Sequence, residues 1–325
     1  MGIPYEKPHL TYNQQIDKLV GRGLKVSDRA AAIDSLKSIG YYRLSAYLHT
    51  FRPMKADGAS GHDERLNSYY PGSTYEQVVA LWMFDRALRL VLLDGLEQFE
   101  IALRTSLAYS AGMLDAFVHH LPDLLTEEFT KQPATTEPER LSSYDKWLVK
   151  YLERVGSSKN EAFVKWFAHK YDGRLPIWAA VELLEFGQTS RLIQGLPLGQ
   201  RRQIAEDFGF LTQKDFGSWI ASLNGIRNFC AHHSRLWNRS LVTTAARPKN
   251  GEIPELDHLR DLDEVARVKI YAPVAVLAWI LGHNESGKEW KLRLRGILET
   301  FPSLPSGSLS NAGFPDDWQQ LPLWN

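Results

Sequence analysis

Apolar residues recur every three or four positions through most of the chain, and that period predicts helices almost everywhere. In QQIDKLVGRGL, Ile16, Leu19 and Val20 share one face, and Gly21 and Gly23 end the run. Ser27 or Asp28 can cap a second helix through AAIDSLKSIG, which Gly40 closes, and YYRLSAYLHTFR follows at once. Residues 10–52 therefore predict three short packed helices. The longest periodic run covers 74–111, with Val78, Leu81, Leu88, Leu92, Leu96, Phe99 and Leu103 among its apolar positions. Further helical stretches are predicted over 141–171, 176–195, 197–208 and 213–238, with a last long apolar helix near 263–284. Polar stretches rich in turn-forming residues at 55–73, 131–140 and 246–256 read as surface loops. The tail from Phe301 is rich in Pro, Gly and Ser but keeps Phe314, Trp318, Leu321 and Trp324, so it is expected to dock on the body. There is no internal repeat, no useful β alternation and no heptad run, so the class is all-α. The division expected is an N-terminal helical module over 1–54, a helical domain over 74–300 and a docking tail over 301–325.

Composition narrows the functions. The chain has 325 residues and 44% hydrophobic residues, enough for one large domain or two smaller ones with a real core. Its 38 basic and 38 acidic residues cancel, which argues against a global electrostatic grip on nucleic acid or an anionic membrane. Any nucleic-acid site must be a local patch. The single cysteine, Cys230, excludes an intrachain disulfide and a cysteine-based metal cluster, and fits a reducing compartment. The N-terminus lacks a signal-peptide layout, and the most apolar run, IYAPVAVLAWILG, falls short of the roughly 20 residues a membrane span needs. A cytoplasmic protein without a membrane partner is expected.

One stretch carries candidate chemistry: RNFCAHHSRLW, residues 227–237. An arginine followed four to six residues later by a histidine is common by chance, and Arg43 with His49 matches too. Arg43 sits among apolar neighbours and reads as packing. The neighbourhood of the later stretch is more informative. On a helix, Phe216, Trp219, Leu223, Ile226 and Cys230 form one apolar stripe, and Asn228, His232 and Arg235 project together opposite it. Asn228 and His232, four apart, can hydrogen-bond. Arg227 and His232 lie about 140° apart at about 100° per residue, so joining them at one phosphate needs the long Arg side chain to bend round, and a helix break or a second copy of the motif would join them more easily. From Phe216 to Gly251 there is no Asp or Glu, while Arg227, Arg235, Arg239, Arg247 and Lys249 fall in the same span. That is a local basic patch suited to phosphate, and Trp237 could stack on a base. The alternative is a solvated helix face.

The chemistry available is narrow. Histidine can take a proton from a ribose 2′-OH or give one to a leaving 5′-oxygen, and arginine can stabilise charge building on the phosphate. Together they suffice for metal-independent RNA cleavage, which needs no cofactor, but not for DNA, which lacks the 2′-OH. The chain has no P-loop, HExxH or Gly-x-Ser-x-Gly, and His119 with His120, in VHHLPDLL, reads as structural.

The blocks KPHLTYNQQIDKLVGRGL, IGYYRLSAYLHTFR, TYEQVVALWMFDRALRLVLLDGLEQFEIALR, LPIWAAVELLEFGQTSRL, IRNFCAHHSRLWNR and GFPDDWQQLPLW occur in this order, and with them the chain resembles the Abi-like family of bacterial abortive-infection proteins, of the AbiD and AbiF type. That family belongs to the HEPN superfamily of helical proteins, many of them ribonucleases with an Arg-x(4–6)-His motif. The resemblance implies a HEPN-like helical bundle and a toxin-like endoribonuclease of antiphage defence. The motif falls on Arg227 and His232, with Asn228 in the polar position; His233 also fits the spacing, so either histidine can be the catalytic one. Arg235, Trp237, Asn238 and Arg239 would hold RNA, and Glu97, Glu100 or Arg104 on a neighbouring helix could orient Arg227. Glu100 and Arg104 by themselves read as a surface i, i+4 ion pair. The resemblance further implies a homodimer with a shared site, and an RNA or protein antitoxin, or phage-dependent activation, as restraint. Two other readings stay open: a non-catalytic RNA-binding module, and a protein-interaction subunit.

Overall fold

The structure, a computed structural model, describes residue 4 and residues 6–55, 65–132 and 141–325. Of the loops expected at 55–73 and 131–140, residues 56–64 and 133–140 lie outside the described residues; residues 65–73 form no helix or strand, but Tyr69 and Ser73 are buried and not on the surface. Among those described the protein is helical and has no strand; extended backbone meets only in isolated bridges, Lys25 with Thr74 and Met54 with Arg65.

The three expected N-terminal helices are α1 (Tyr12–Val20), α2 (Arg29–Ile39) and α3 (Tyr41–Leu48). Thr11 and Gln14 form a capping box at the start of α1. Asp28, not Ser27, caps α2 by accepting from the Ala31 amide at 3.0 Å. Ser27 instead donates from its amide and hydroxyl to the Glu76 carboxylate, at 3.0 and 2.7 Å, which ties the N-terminal helices to the next element.

That element, α4 (Tyr75–Gly112), is 38 residues long, about 57 Å at 1.5 Å per residue. A second capping box, Thr74 with Gln77, starts it. The remaining helices are α5 (Glu127–Thr130), α6 (Ser143–Ser157), α7 (Ala162–Lys170), α8 (Ile177–Ala180), α9 (Phe186–Gly195), α10 (Leu198–Asp207), α11 (Gln213–Ala231), α12 (Glu264–Arg267), α13 (Tyr271–Leu281) and α14 (Glu285–Leu298). Helix α4 is the axis: α3, α8, α9, α10, α11, α13 and α14 all pack on it. Leu81, Leu88, Leu92, Leu96, Phe99 and Leu103 of α4 are fully or almost fully buried there. At Gly95 the approach is closest, since a Cβ would lie 2.4 Å from the Trp290 ring of α14. The Trp290 indole donates to the Val91 carbonyl at 2.6 Å across the same contact.

The C-terminal third differs from expectation. The single apolar helix near 263–284 is two, α12 and α13, and α14 follows where none was predicted. Helix α13 is buried on nearly every side, as its uninterrupted apolar run requires. Asn284 then starts α14 by accepting from the Gly287 amide at 2.8 Å. The buried stripe of α14, Trp290, Leu294 and Leu298, is interleaved with charged residues, which hides it in a linear reading. The tail docks as expected. Phe314, Trp318 and Trp324 are buried, and Lys291 and Arg295 of α14 donate to the carbonyls of Leu323 and Trp324 at 2.8 and 2.7 Å. Among the described residues no helix is long and apolar enough to cross a membrane.

Candidate functional site

Helix α11 presents its expected apolar stripe, Phe216, Trp219, Leu223, Ile226 and Cys230, to the core. Burial pushes the Cys230 thiol up to about 12, so it stays protonated and inert. The helix ends at Ala231 and not near 238. His232 is the C-cap, and the next residue, His233, takes the left-handed conformation at φ 56°. The Ser234 amide returns to the Phe229 carbonyl at 2.9 Å and the His233 amide to the Cys230 carbonyl at 3.1 Å. This is the Schellman arrangement, with histidine where glycine is usual. A non-glycine residue there is strained, and such strain gathers at functional sites.

The turn settles where the motif residues stand. Arg227 is half-buried, and Asn228, His232 and His233 are exposed. His232 keeps near-helical angles, φ −90° and ψ 12°, so its angular offset from Arg227 survives; the reversal comes one residue later. No side-chain hydrogen bond joins Asn228 to His232 among the described residues; their link is the backbone bond of 3.0 Å from the His232 amide to the Asn228 carbonyl. Arg235 lies beyond the break and does not join that face. Its guanidinium donates to the Ala46 carbonyl at 2.5 Å.

Of the three supporting candidates on α4, Glu100 contacts the motif. Its Oε2 lies 3.7 Å from Nε of Arg227, and its Oε1 accepts from Nη2 of Arg104 at 2.5 Å. Arg104 also donates to the Leu184 carbonyl at 2.6 Å. The Glu100–Arg104 pair is therefore not a surface pair: the Glu100 side chain is only 10% exposed and that of Arg104 22%. Glu97, one turn earlier, is exposed and outside the cluster.

A second polar cluster lies behind the turn. The fully buried Asp85 carboxylate accepts from the Leu236 amide at 3.1 Å and the Trp237 amide at 2.7 Å. It also pairs with Arg89 and accepts from the Tyr47 hydroxyl at 2.5 Å. Arg89 reaches the Ser234 carbonyl at 3.4 Å. Burial, then the neighbouring Asp85 charge, holds the Tyr47 phenol far above its ordinary range, so it remains a donor. Asp85 and Arg89 thus clamp residues 234–237 to α4, and that clamp fixes where the turn carries His232 and His233. Neither residue was a sequence candidate. The signal was present: Asp85 occupies a core position of the apolar repeat, between Leu81 and Leu88, with Arg89 four residues on.

A family model described as Abi-like protein matches residues 34–238, which includes α4, α11 and both polar clusters. The chain belongs to the Abi-like family. The matching span leaves out all of the block around α1 and all of the closing GFPDDWQQLPLW. No curated protein and no solved structure gives a match.

The expected RNA-holding residues of this Abi-like chain need correction. Trp237 cannot stack on a base: it is fully buried, and its indole donates to the Ser308 carbonyl of the tail at 3.0 Å. Arg235 is engaged with α3, as above. Asn238, at φ 56°, accepts from Lys269 at 3.2 Å, and the Arg239 guanidinium lies 4.0 Å from the centre of the Phe229 ring. Arg239 and Lys269 are half-buried; burial, then Arg235, lowers the Lys269 pKa. Arg247 is drawn off by Glu264 at 3.5 Å and the Leu262 carbonyl at 2.9 Å, so the acid-free stretch is partly neutralised by another part of the chain. Of the decoy pair, Arg43 is exposed and not packed. His119 is fully buried against His120, Trp147 and Tyr151, and burial, with His120 second, pulls its pKa down to about 3, which suits a structural residue.

Proposed function

We propose that this Abi-like chain is a metal-independent endoribonuclease of abortive-infection defence that acts as a homodimer. The observation that carries the reading is the Glu100–Arg227 contact beside an exposed, strained turn holding two histidines. Arg227 is oriented from α4 yet its side chain remains 31% exposed, so it can meet a phosphate. His232 supplies acid–base chemistry and Asn228 orients it or the sugar. The helical offset between Arg227 and His232 is answered by a second copy of the chain, whose motif faces the same phosphate.

In that site one histidine takes the proton from the ribose 2′-OH as the 2′-oxygen attacks phosphorus. The bond to the 5′-oxygen breaks, and the second histidine protonates that leaving oxygen. The products are a 2′,3′-cyclic phosphate and a 5′-OH end. Arg227 offsets the negative charge that builds on the non-bridging oxygens. A growth-arresting activity of this kind requires restraint, by an antitoxin, RNA or protein, or by a phage-dependent trigger.

The test uses purified wild type and His232→Ala on end-labelled total RNA and tRNA with EDTA present. Discrete fragments with cyclic-phosphate ends from wild type alone are expected. Intact RNA from both, bound with equal affinity, would turn the reading to a non-catalytic RNA-binding module. Indifference to RNA together with a co-purifying protein would turn it to an interaction subunit.

A further inference from the structure

A wide cleft between helices has no part in the site above. It encloses about 1020 Å³ between α6 and α9, with α11 as its inner wall. Three cations, Lys146, Lys150 and Arg154, line it from α6 at i, i+4 and i+8, one face of the helix over about 12 Å. Arg191 faces them from α9. Two carboxylates, Glu153 and Glu185, also line the cleft, and Glu185 pairs with Arg154 at 3.3 Å. Among the described residues no carboxylate lies within ion-pair distance of Lys146, Lys150 or Arg191, and all three are exposed. In a chain of zero net charge, three unpaired cations in one concave feature form a local anion site.

The cleft runs toward the motif without including any of its residues. Asn224 of α11 lines it, one helical turn before Arg227 and Asn228. Thr243, from the segment after the motif turn, lines it too. Glu185 follows Leu184, whose carbonyl holds Arg104, which holds Glu100, which contacts Arg227. The groove wall and the candidate catalytic arginine therefore share one connected set of contacts.

We propose that this cleft holds the sugar–phosphate backbone of single-stranded RNA leading to Arg227 and His232, with Lys146, Lys150 and Arg191 on successive phosphates. The proposal rests on the ribonuclease reading and deepens it. The volume suits a few nucleotides of one strand. The contacts are to phosphate, so they position the strand without reading its sequence.

The test is the salt dependence of binding to a fluorescein-labelled 20-nucleotide oligo(U), read by anisotropy, with all proteins carrying His232→Ala so that the probe stays intact. Adding Lys146→Ala, Lys150→Ala and Arg191→Ala removes three phosphate contacts. The slope of log K against log salt should become shallower by about 2, at about 0.7 per contact, and affinity near 0.1 M salt should fall at least about tenfold. Lys146→Arg with Lys150→Arg should keep the parent slope, and all melting curves should coincide because the three side chains are exposed. An unchanged slope and affinity in the triple variant, while the protein with His232 intact cuts RNA, would overturn the groove and leave the ribonuclease standing. Failure of the parent to bind oligo(U), with no cleavage by the wild type, would overturn both.

Discussion

Glu100 of α4 reaches Arg227 of α11 across 3.7 Å with one carboxylate oxygen while its other oxygen holds Arg104. One carboxylate is thus shared by a half-buried guanidinium that anchors it and a somewhat more exposed one that it aims. Replacing it with glutamine keeps the shape and removes the charge. We expect Glu100→Gln to lower single-turnover cleavage by about 10- to 100-fold, at about 1.4 kcal/mol per tenfold, with little change in KM. Glu97→Gln, on the exposed side of the same helix, should leave the rate unchanged. Equal effects from the two variants would remove Glu100 from its aiming role.

His233 stands in a left-handed position where glycine carries no steric penalty. His233→Gly should stabilise the fold by roughly 1 kcal/mol, read as a rise in melting temperature. Cleavage should survive, because His232 is assigned the acid–base role. Loss of cleavage in a more stable protein would hand that role to His233 and explain why the strain is kept.

Asp85 receives two backbone amides from the turn region while wholly buried. Asp85→Ala leaves the Arg89 charge without its counter-ion and both amides without their acceptor. The expected cost is about 3–5 kcal/mol, measured by urea unfolding. Hydrogen exchange at Leu236 and Trp237 should accelerate more than exchange along α4. Uniform acceleration would mean that the clamp serves the whole core and not the turn.

His119 predicts an acid limb. Above pH 6.5 the residue is neutral folded or unfolded and adds no pH dependence. As pH falls from 6.5 toward about 3, the unfolded chain takes the proton and the folded protein does not, so stability falls. The full effect is up to about 5 kcal/mol at 1.36 kcal/mol per pH unit. Neither ring nitrogen of His119 has a hydrogen-bond partner among the described residues, so His119→Leu should fold well and show a flatter stability profile over this range. An unaltered profile would show that His119 is not the group responsible.

The elements legible in the sequence are those whose physics is local. Helix α4 was readable over nearly its full length, because its apolar period is unbroken. The α11 stripe was readable for the same reason. The end of α11 was not: a Schellman turn is normally announced by glycine, and here histidine occupies the position. The choice of Glu100 over Glu97 depends on which side of α4 receives α11, a tertiary fact that three residues of spacing cannot convey. Trp237 shows the same limit. An aromatic residue beside a basic motif suits a base-stacking surface or a core, and only the arrival of the tail decides for the core. Arg247 looked like part of a free basic patch because the acid that draws it off, Glu264, lies on a later element.

The bond from Trp237 to Ser308 spans 71 residues of chain. The ring also lies 3.3 Å from where a Cβ on Gly307 would sit, so this part of the tail covers it closely. The ribosome therefore finishes the motif long before it makes the segment that covers the tryptophan beside it. Until residues 307 and 308 have been made, Trp237 lacks this cover. Packing of the tryptophan that follows the motif is thus a late event of synthesis, separated from the motif itself by tens of residues.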